Sequence, residues 1–311
     1  MNDSGLLSEL TPAAERLLER HLRTAKEWFP HELVPWSRGR DFVRGEPVSL
    51  EKLPSGVRSA LFVNLLTEDN LPYYFSAIEQ MFGSDGAWGT WVRRWTAEEG
   101  RHSIVIRDYL TITRQIDPVL LERARMAQVC GGEAPQPTTA ADTFAYLTLQ
   151  ELATRIAHHN TGKSLDDPAG YEVMKRVAAD ENLHFLFYRD LVSAALEVDP
   201  SGTVEAIARQ VMNFDMPGVG IVGFAEHARA IARERIYDLA IHYEGILEPL
   251  VSRHWSLEAC GGLTAQAQAT LDRLMRYLSR FRRAACRIAE RHAEGLVATA
   301  PRSEVVDTTN A

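Results

Sequence analysis

Residues 95–102 read WTAEEGRH, and residues 178–184 read AADENLH. Each stretch contains a glutamate followed three residues later by a histidine, as in Glu99 and His102 of the first. Positions three apart lie on one face of an α-helix, so each pair could bind a single metal ion. The chain therefore carries the same chemical motif twice, and the fold is predicted around these two copies.

A further glutamate precedes each motif in a helix-like stretch. Glu68 lies 31 residues before Glu99, and Glu151 lies 30 residues before Glu181. One glutamate from each of two helices, together with Glu-x-x-His from each of two others, is typical of ferritin-like bundles that hold two iron or manganese ions. The predicted metal ligands are Glu68, Glu99, His102, Glu151, Glu181 and His184.

The predicted ligand set is balanced in charge and suited to particular metals. Four carboxylates offset the charge of two divalent cations, which avoids the large cost of burying uncompensated charge. Oxygen and nitrogen donors without a thiolate favour iron or manganese over copper. A single Glu-x-x-His is common on solvated helix faces, but two copies with matching upstream glutamates favour a metal centre.

Composition indicates one globular unit. The 311 residues are 45% apolar and 24% charged, which is ordinary for a folded domain. We expect a single domain over residues 1–295 and a disordered tail over residues 296–311, where the apolar pattern is lost. The net charge of −8 implies no general affinity for nucleic acid. Cys130, Cys260 and Cys286 form no C-x-x-C motif, so free thiols in a reducing cytoplasm are expected.

Hydrophobic periodicity predicts an all-α protein, with a ferritin-like four-helix core and additional flanking helices. The N-terminal residues are partly acidic, and the sequence has no long apolar run. We therefore expect no signal peptide and no membrane span. Pro72 lies inside one predicted helix and is expected to kink it four residues after Glu68. The predicted helices cover about residues 8–28, 55–82, 87–115, 117–129, 138–161, 168–197, 201–212, 224–258 with breaks, and 264–294.

Several stretches resemble the acyl-[acyl-carrier-protein] desaturases, soluble di-iron enzymes of plant plastids and actinobacteria. The resemblance covers about residues 8–245 clearly and the C-terminal helices weakly, and the actinobacterial branch is the closer match. Its four ligand blocks together make the resemblance specific. The stretches that carry it are residues 28–30, 67–72, 91–102, 150–154, 156–162 and 180–184.

This resemblance implies that the six ligands bind two Fe²⁺ ions, for which manganese is a substitute. It also implies O₂-dependent desaturation of a saturated chain on acyl carrier protein. Asp180 would accept the outer N–H of His102 and link it towards Trp28, since such carboxylate pairs fix the histidine tautomer. Thr154 would lie near the oxygen-binding face, although a helical threonine is otherwise a back-bonded filler. Glu98 precedes His102 by four residues, as Asp180 precedes His184, although Glu98 could equally be a surface acid.

The resemblance further implies three partners: acyl carrier protein, a ferredoxin-type electron donor, and a second copy of the chain in a homodimer. The arginines between residues 273 and 291 are either a docking face for these acidic proteins or a solvated helix face. An apolar tunnel beside the metals is expected. The residues implied to line it, which ordinary core packing would explain equally, are Ala77, Ile78, Met81, Thr143 and Phe144.

Other functions remain open at the level of sequence. A di-iron oxygenase that hydroxylates or N-oxidises a carrier-bound substrate would use the same ligands. An iron-storage protein is disfavoured by the long C-terminal extension and by the match around Thr154 and Asp180, and an inactive scaffold by the intact ligands. Gly100 stands where the relatives carry asparagine, and the residues leave chain length and double-bond position undetermined.

Overall fold

The computed structural model describes residues 1–43, 53–132 and 134–299 of the chain. Every regular element in these ranges is helical, which confirms the predicted all-α class, and no strand occurs in them. The helices are α1 Asp3–Thr24, α2 Pro30–Leu33, α3 Ser55–Glu68, α4 Leu71–Phe82, α5 Gly86–Ile112, α6 Pro118–Gly131, α7 Ala140–Lys163, α8 Pro168–Val198, α9 Pro200–Met212, α10 Phe224–Arg233, α11 Leu239–His242 and α12 Ala265–Thr299.

Four long helices, α3, α5, α7 and α8, form the core of the molecule. Helix α7 packs along α8, α3 packs against α5 and α7, and α5 packs against α8, so the four helices close a ring. Helix α7 is buried around nearly all of its circumference, and even its polar residues Thr148 and Thr161 are inaccessible to solvent. Such a helix carries no amphipathic stripe because neighbours surround it. Helices α1, α9 and α10 cover the ring from outside.

The predicted helix over residues 55–82 is two helices rather than one kinked helix. Helix α3 ends at Glu68 and α4 begins at Leu71, so that Glu68 is the last residue of its element. Pro72 has no N–H to donate to the carbonyl of Glu68, and the chain tightens instead, with the Asn70 N–H donating to the Thr67 carbonyl at 3.1 Å. The break therefore lies directly beside the glutamate predicted to bind metal.

The region predicted as a broken helix over residues 224–258 is broken as expected. After α10 and α11 the chain forms two π-helical segments, Tyr243–Leu247 and Pro249–His254, and a 3₁₀ turn at Leu257–Ala259. These wide turns place Ile246 and Leu250 in the core with no solvent exposure. Packing of these inward residues holds the segment against α7 and α12.

The two ends of the chain differ from the sequence prediction. Helix α1 begins at Asp3, not near residue 8, because the Asn2 side chain caps it by accepting the Gly5 N–H at 2.9 Å. Helix α12 runs to Thr299, so the predicted tail of residues 296–311 begins inside it, and residues 300–311 lie outside the described ranges. Among the described residues, no helix is long and apolar enough to cross a membrane.

Candidate metal centre

The structure brings all six predicted ligand side chains together in the middle of the helical ring. Helix α3 contributes its last residue, α7 contributes a residue from its middle, and α5 and α8 each contribute a Glu-x-x-His pair. All six side chains are buried, with solvent exposures of at most 6%. They are Glu68, Glu99, His102, Glu151, Glu181 and His184.

The six side chains form two overlapping groups of four. One group consists of Glu68, Glu99, His102 and Glu181, and in the other Glu151 and His184 join the same two shared glutamates. Within each group the donor atoms lie within 4.8 Å of one another. Donor atoms about 2.1 Å from a metal lie at most about 4.2 Å apart across it, so each group is close to the size that one ion requires. The shared glutamates would bridge the two ions.

Each histidine directs its Nδ1 atom into the cluster. The Nδ1 atom of His102 lies 3.2 Å from Glu181 Oε1 and 3.4 Å from Glu99 Oε2. The Nδ1 atom of His184 lies 2.8 Å from Glu99 Oε1 and 3.6 Å from Glu151 Oε2. Both Nδ1 atoms are buried without a hydrogen-bond partner among the described residues. Buried polar atoms are almost always satisfied, so this cluster of unpaired donor atoms fits a pair of metal ions.

In the absence of metal, the buried groups of the cluster shift one another's pKa values. Burial raises the pKa of Glu151 well above its usual value, and the negative charge of Glu181 raises it further. Burial alone would lower the pKa of His102, but the charge of Glu99 and hydrogen bonds to neighbouring carboxylates raise it well above normal. Burial likewise opposes the charged form of His184, yet hydrogen bonds to Glu151 and the neighbouring acids raise its pKa well above normal. Divalent cations would replace these protons as the compensating charge.

Asp180 lies on the outer side of His102, but the Nε2 atom of His102 makes no hydrogen bond among the described residues. Its Oδ2 atom accepts the indole N–H of Trp28 at 2.8 Å and lies 3.5 Å from the Nε2 atom of His102. Burial would raise the pKa of Asp180, but the interaction with His102 is the main effect that lowers it below its usual value. Arg101 and Arg176 also donate to this carboxylate and lie over the face of the Trp28 ring. The structure thus joins Trp28, Asp180 and His102 in one chain of contacts.

Glu98 is not a surface acid, so of the two interpretations of this residue the surface one is excluded. Its side chain is buried, and its Oε2 atom lies 3.0 Å from the Nε2 atom of His184 and 2.9 Å from the Nε2 atom of His21. Burial would raise the pKa of Glu98, but hydrogen bonds from the two histidines hold it well below its usual range. Glu98 therefore faces His184 from outside, as Asp180 faces His102.

The Thr154 hydroxyl lies beside the cluster. It is within 3.1 Å of the Glu181 Oε2 atom and at the same distance from the backbone carbonyls of Gln150 and Glu151. Both interpretations of this threonine thus have a contact in the structure, one to the helix backbone and one to a shared ligand. Thr154 is buried, and one face of its side chain borders a small cleft.

His158 is a residue that the sequence interpretation missed. Its Nε2 atom donates to Glu68 Oε1 at 2.9 Å, and its ring is 1% exposed. His158 follows Glu151 by seven residues on α7, two turns along the same face, so helical spacing could have identified it. It holds the first glutamate of the cluster in the direction of the other ligands.

A large apolar cavity reaches the vicinity of the cluster. It has a volume of about 640 Å³ and lies between α3, α7, α9, α10 and α12. Five of its wall residues also line a cleft of about 30 Å³ bordered by Thr154 and His158: Val63, Asn64, Ala157, Met216 and Phe224. Both of those residues contact carboxylates of the cluster. The inner wall of the cavity is therefore one side chain away from the candidate metal ligands.

The residues implied to line a tunnel lie elsewhere. Ala77, Ile78 and Thr143 line a pocket of about 40 Å³, and four residues of this pocket also line a pocket of about 470 Å³: Pro135, Gln136, Pro137 and Tyr146. Met81 and Phe144 pack in the hydrophobic core. The sequence interpretation did not identify the cavity of about 640 Å³.

Comparisons with known proteins agree on one family. The model of the fatty acid desaturase family matches residues 2–305. DesA1 of Mycobacterium tuberculosis, assigned by its name to the acyl-[acyl-carrier-protein] desaturases, is 39% identical over 286 residues, which cover 88% of this chain and 84% of DesA1. The chloroplastic stearoyl-[acyl-carrier-protein] 9-desaturase 6 of Arabidopsis thaliana is 33% identical over 283 residues, covering 85% of this chain and 72% of the relative. The X-ray structure of DesA2 from M. tuberculosis superposes with a TM-score of 0.71 at 26% identity, covering 87% of this chain and 99% of that one.

Proposed function

The chain belongs to the fatty acid desaturase family, in its acyl-[acyl-carrier-protein] desaturase branch, and from this premise we propose that it desaturates an acyl chain held on acyl carrier protein. The observation that supports this proposal most is the juxtaposition of two features. A buried cluster of four carboxylates and two histidines lies beside an apolar cavity of about 640 Å³. A metal centre able to activate oxygen and a space for a hydrocarbon chain are what the reaction needs.

We propose that the cluster holds two iron ions, with manganese as a substitute. Its donors are carboxylate oxygens and imidazole nitrogens without a thiolate, and four carboxylates neutralise two divalent cations. Two iron ions bound there would supply the reduction of O₂ that removes one hydrogen from each of two adjacent methylene groups. Two electrons and two protons must enter from outside so that both oxygen atoms leave as water. We propose a ferredoxin-type protein as the electron donor.

The remaining polar residues of the site would orient the ligands and the substrate. Glu98 accepts a hydrogen bond from the outer nitrogen of His184, and Asp180 lies 3.5 Å from the outer nitrogen of His102. The two carboxylates would orient the histidines that hold the metal. Trp28 would connect Asp180 to the protein surface, where Arg101 and Arg176 flank its ring. Thr154, which borders the cleft and contacts Glu181, would place its hydroxyl where oxygen and substrate meet.

We place the acyl chain in the large cavity. The wall is formed mainly by apolar side chains, including Val211, Phe214 and Phe281, so a saturated chain would lose water contact on entering. The reactive methylenes would lie at the end near Ala157, next to Thr154. Closure around the chain would keep water from the cluster, which protects an oxidising centre from side reactions.

Helix α12 offers a surface for the carrier protein. Its inner face lines the cavity with Tyr277, Phe281 and Ile288, whereas its outer face carries exposed arginines. A carrier protein that is acidic would bind this face by charge complementarity and deliver its chain beside the cavity. The exposed arginines of this outer face are Arg273, Arg276, Arg280, Arg282, Arg283, Arg287 and Arg291.

Two further proposals rest on less direct support. A homodimer is proposed from the family alone. A cytoplasmic location is proposed because Cys130, Cys260 and Cys286 are unpaired thiols, which persist in reducing compartments.

The deciding experiment is an assay with defined components. The protein is loaded with Fe²⁺ without oxygen, then mixed with O₂, a ferredoxin system and a panel of saturated acyl-carrier-protein thioesters. Loss of two hydrogens from the acyl group, seen by mass spectrometry, would support desaturation. Gain of one oxygen atom would instead identify a hydroxylase, and oxygen consumption without an altered acyl group would refute both. The Glu99→Ala variant, which removes a shared ligand, should be inactive and serves as the control.

A further inference from the structure

The N-terminal segment places two ring N–H groups against the two carboxylates that lie outside the metal centre. The Nε2 atom of His21, on α1, is 2.9 Å from Glu98 Oε2. The Nε1 atom of Trp28, seven residues later, is 2.8 Å from Asp180 Oδ2. Each of these carboxylates faces the outer nitrogen of one candidate metal-binding histidine. One segment of eight residues thus contacts both halves of the site.

The surroundings of the two carboxylates repeat in the chain with an offset of 82 residues. Arg94 pairs with Glu98 at 2.5 Å, and Arg176 pairs with Asp180 at 2.5 Å, each four residues before its carboxylate. Arg101 lies between the halves, 3.8 Å from Glu98 and 3.2 Å from Asp180. Arg94 and Arg176 therefore occupy matching positions in the two halves. The two halves differ in the ring that the N-terminal segment supplies, which is His21 at Glu98 and Trp28 at Asp180.

The hydrogen-bond pattern at Glu98 defines the roles of the two imidazoles. A carboxylate oxygen only accepts hydrogen bonds, so both nitrogens in contact with Glu98 Oε2 must carry hydrogen. Donation from His184 Nε2 leaves the Nδ1 lone pair of His184 directed at the ligand cluster. The second donor, His21, shares the same oxygen and limits rotation of the Glu98 side chain. His21 thereby fixes the orientation of the His184 ring indirectly, through Glu98.

The packing of His21 indicates that its ring is retained for this one bond. The ring is 3% exposed, stacks on His184 with a centroid distance of 5.8 Å and meets Trp91 edge-on at 5.0 Å. Its other nitrogen, Nδ1, is buried without a hydrogen-bond partner among the described residues. An aliphatic side chain would fill this space without burying an unsatisfied nitrogen, whose desolvation is costly. The bond to Glu98 is the compensating interaction.

We propose that His21 is a positioning residue for the metal centre, which holds His184 in its metal-binding orientation through Glu98. This inference rests on the proposed metal function and assigns the N-terminal helix a part in it. Trp28 acts on the other half, through Asp180 on His102. Outer partners of this kind change metal affinity by about 10- to 100-fold when removed. Each of the two residues therefore controls the affinity of a different ion.

The experiment is an anaerobic titration of the metal-free full chain with Fe²⁺ in competition with a chelator. It compares the wild type with His21→Leu, His21→Gln and Trp28→Phe, and with the double variant of His21→Leu and Trp28→Phe. Glutamine is the matched variant because its amide nitrogen lies near the Nε2 position and can donate to Glu98. Circular dichroism and the melting temperature of each metal-free variant report whether the fold is retained.

We expect two tightly bound equivalents in the wild type. His21→Leu should keep one and weaken the other by about 10- to 100-fold, and His21→Gln should restore most of the affinity. The double variant should weaken both equivalents. Two equally tight equivalents in His21→Leu, or equal weakening by leucine and glutamine, would overturn the role of His21 and leave the proposed function standing. A double variant that keeps one tight equivalent would refute the division between the halves, and a wild type that binds no Fe²⁺ would refute the proposed function as well.

Discussion

His242 on α11 is the basis of a prediction that is independent of any metal. Its side chain lines the large cavity, is 7% exposed, and lies between the rings of Phe214 and Phe281 at 5.3 and 5.8 Å. The hydroxyl of Tyr237 lies 2.8 Å from its Nδ1 atom, a bond that neutral imidazole can accept. Burial lowers the pKa of His242 to about 4 from the usual 6.5. His242 therefore adds no charge to the wall of the cavity at neutral pH.

The sign and size of the effect follow from these two pKa values. Between pH 6.5 and pH 4 an unfolded chain holds a proton on His242 that the folded chain excludes, so stability falls as the pH falls through this window. A pKa difference of about 2.5, at about 1.4 kcal/mol for each unit, amounts to about 3 kcal/mol over the whole window. The contribution of neutral His242 to the free energy of unfolding is fully present above pH 6.5.

The assay is urea unfolding of the metal-free wild type and of His242→Gln at a series of pH values. Glutamine keeps an acceptor for Tyr237 and removes the titrating group, so contributions from all other groups cancel in the difference. The stability advantage of the wild type should shrink by about 1.2 kcal/mol between pH 6 and pH 5. A difference that stays constant over this range would show that His242 is solvated or protonated in the folded protein, and would refute the description of the cavity wall.

Three other perturbations test the fold and the proposed function. Gly100→Ala should stabilise α5 by about 1 kcal/mol, because the nearest atom to an added Cβ is Leu71 Cδ2 at 3.9 Å; thermal unfolding measures it, and a destabilised variant would show that this turn needs glycine. Ala157→Phe, in the wall between cavity and cleft, should lower kcat/KM for long acyl chains at least tenfold, about 1.4 kcal/mol, while Ala77→Phe in the 40 Å³ pocket has little effect; the reverse pattern would move the chain to that pocket. Charge reversal on α12 is made with Arg280→Glu, Arg283→Glu and Arg287→Glu. It should raise KM for the carrier-bound substrate and weaken the salt dependence of this KM. An unchanged KM would show that these arginines are only a solvated helix face.

The ligand set could be predicted from sequence because it depends on local geometry. The pairing of Glu99 with His102 needs only helical spacing, and the second copy of the motif raises the significance of the first. The repeat of the upstream Glu68 and Glu151 added the remaining carboxylates. Long-range packing was not accessible in this way. Two adjacent acids on one helix point in different directions, and the burial of Glu98 depends on α1 covering its side of α5.

The same limit explains why the sequence did not predict the cavity of about 640 Å³. Tunnel residues were implied by similarity in the first half of the chain, whereas the observed cavity depends on α10, α11 and α12 folding back over α3 and α7. None of these C-terminal helices carries a motif, and the π-helical segments between them leave no simple periodicity. Sequence pattern identifies elements and their buried faces, but the volume left between distant elements is a property of the assembled fold.

The internal repeat also shows where the two halves of the site must differ. Glu151 accepts the indole N–H of Trp95 at 3.0 Å, while Glu68 accepts from His158 at 2.9 Å. The repeat position of Trp95 is Val177, which has no polar hydrogen to donate, so Glu68 in the first half obtains its donor from His158 on α7. An indole N–H only donates a hydrogen bond, and its ring stays neutral. An imidazole can donate or accept a hydrogen bond and can take up a proton. Two identical ligand motifs are thus held in unlike surroundings, and this asymmetry would give the two ions of the proposed centre different properties although their ligand types are the same.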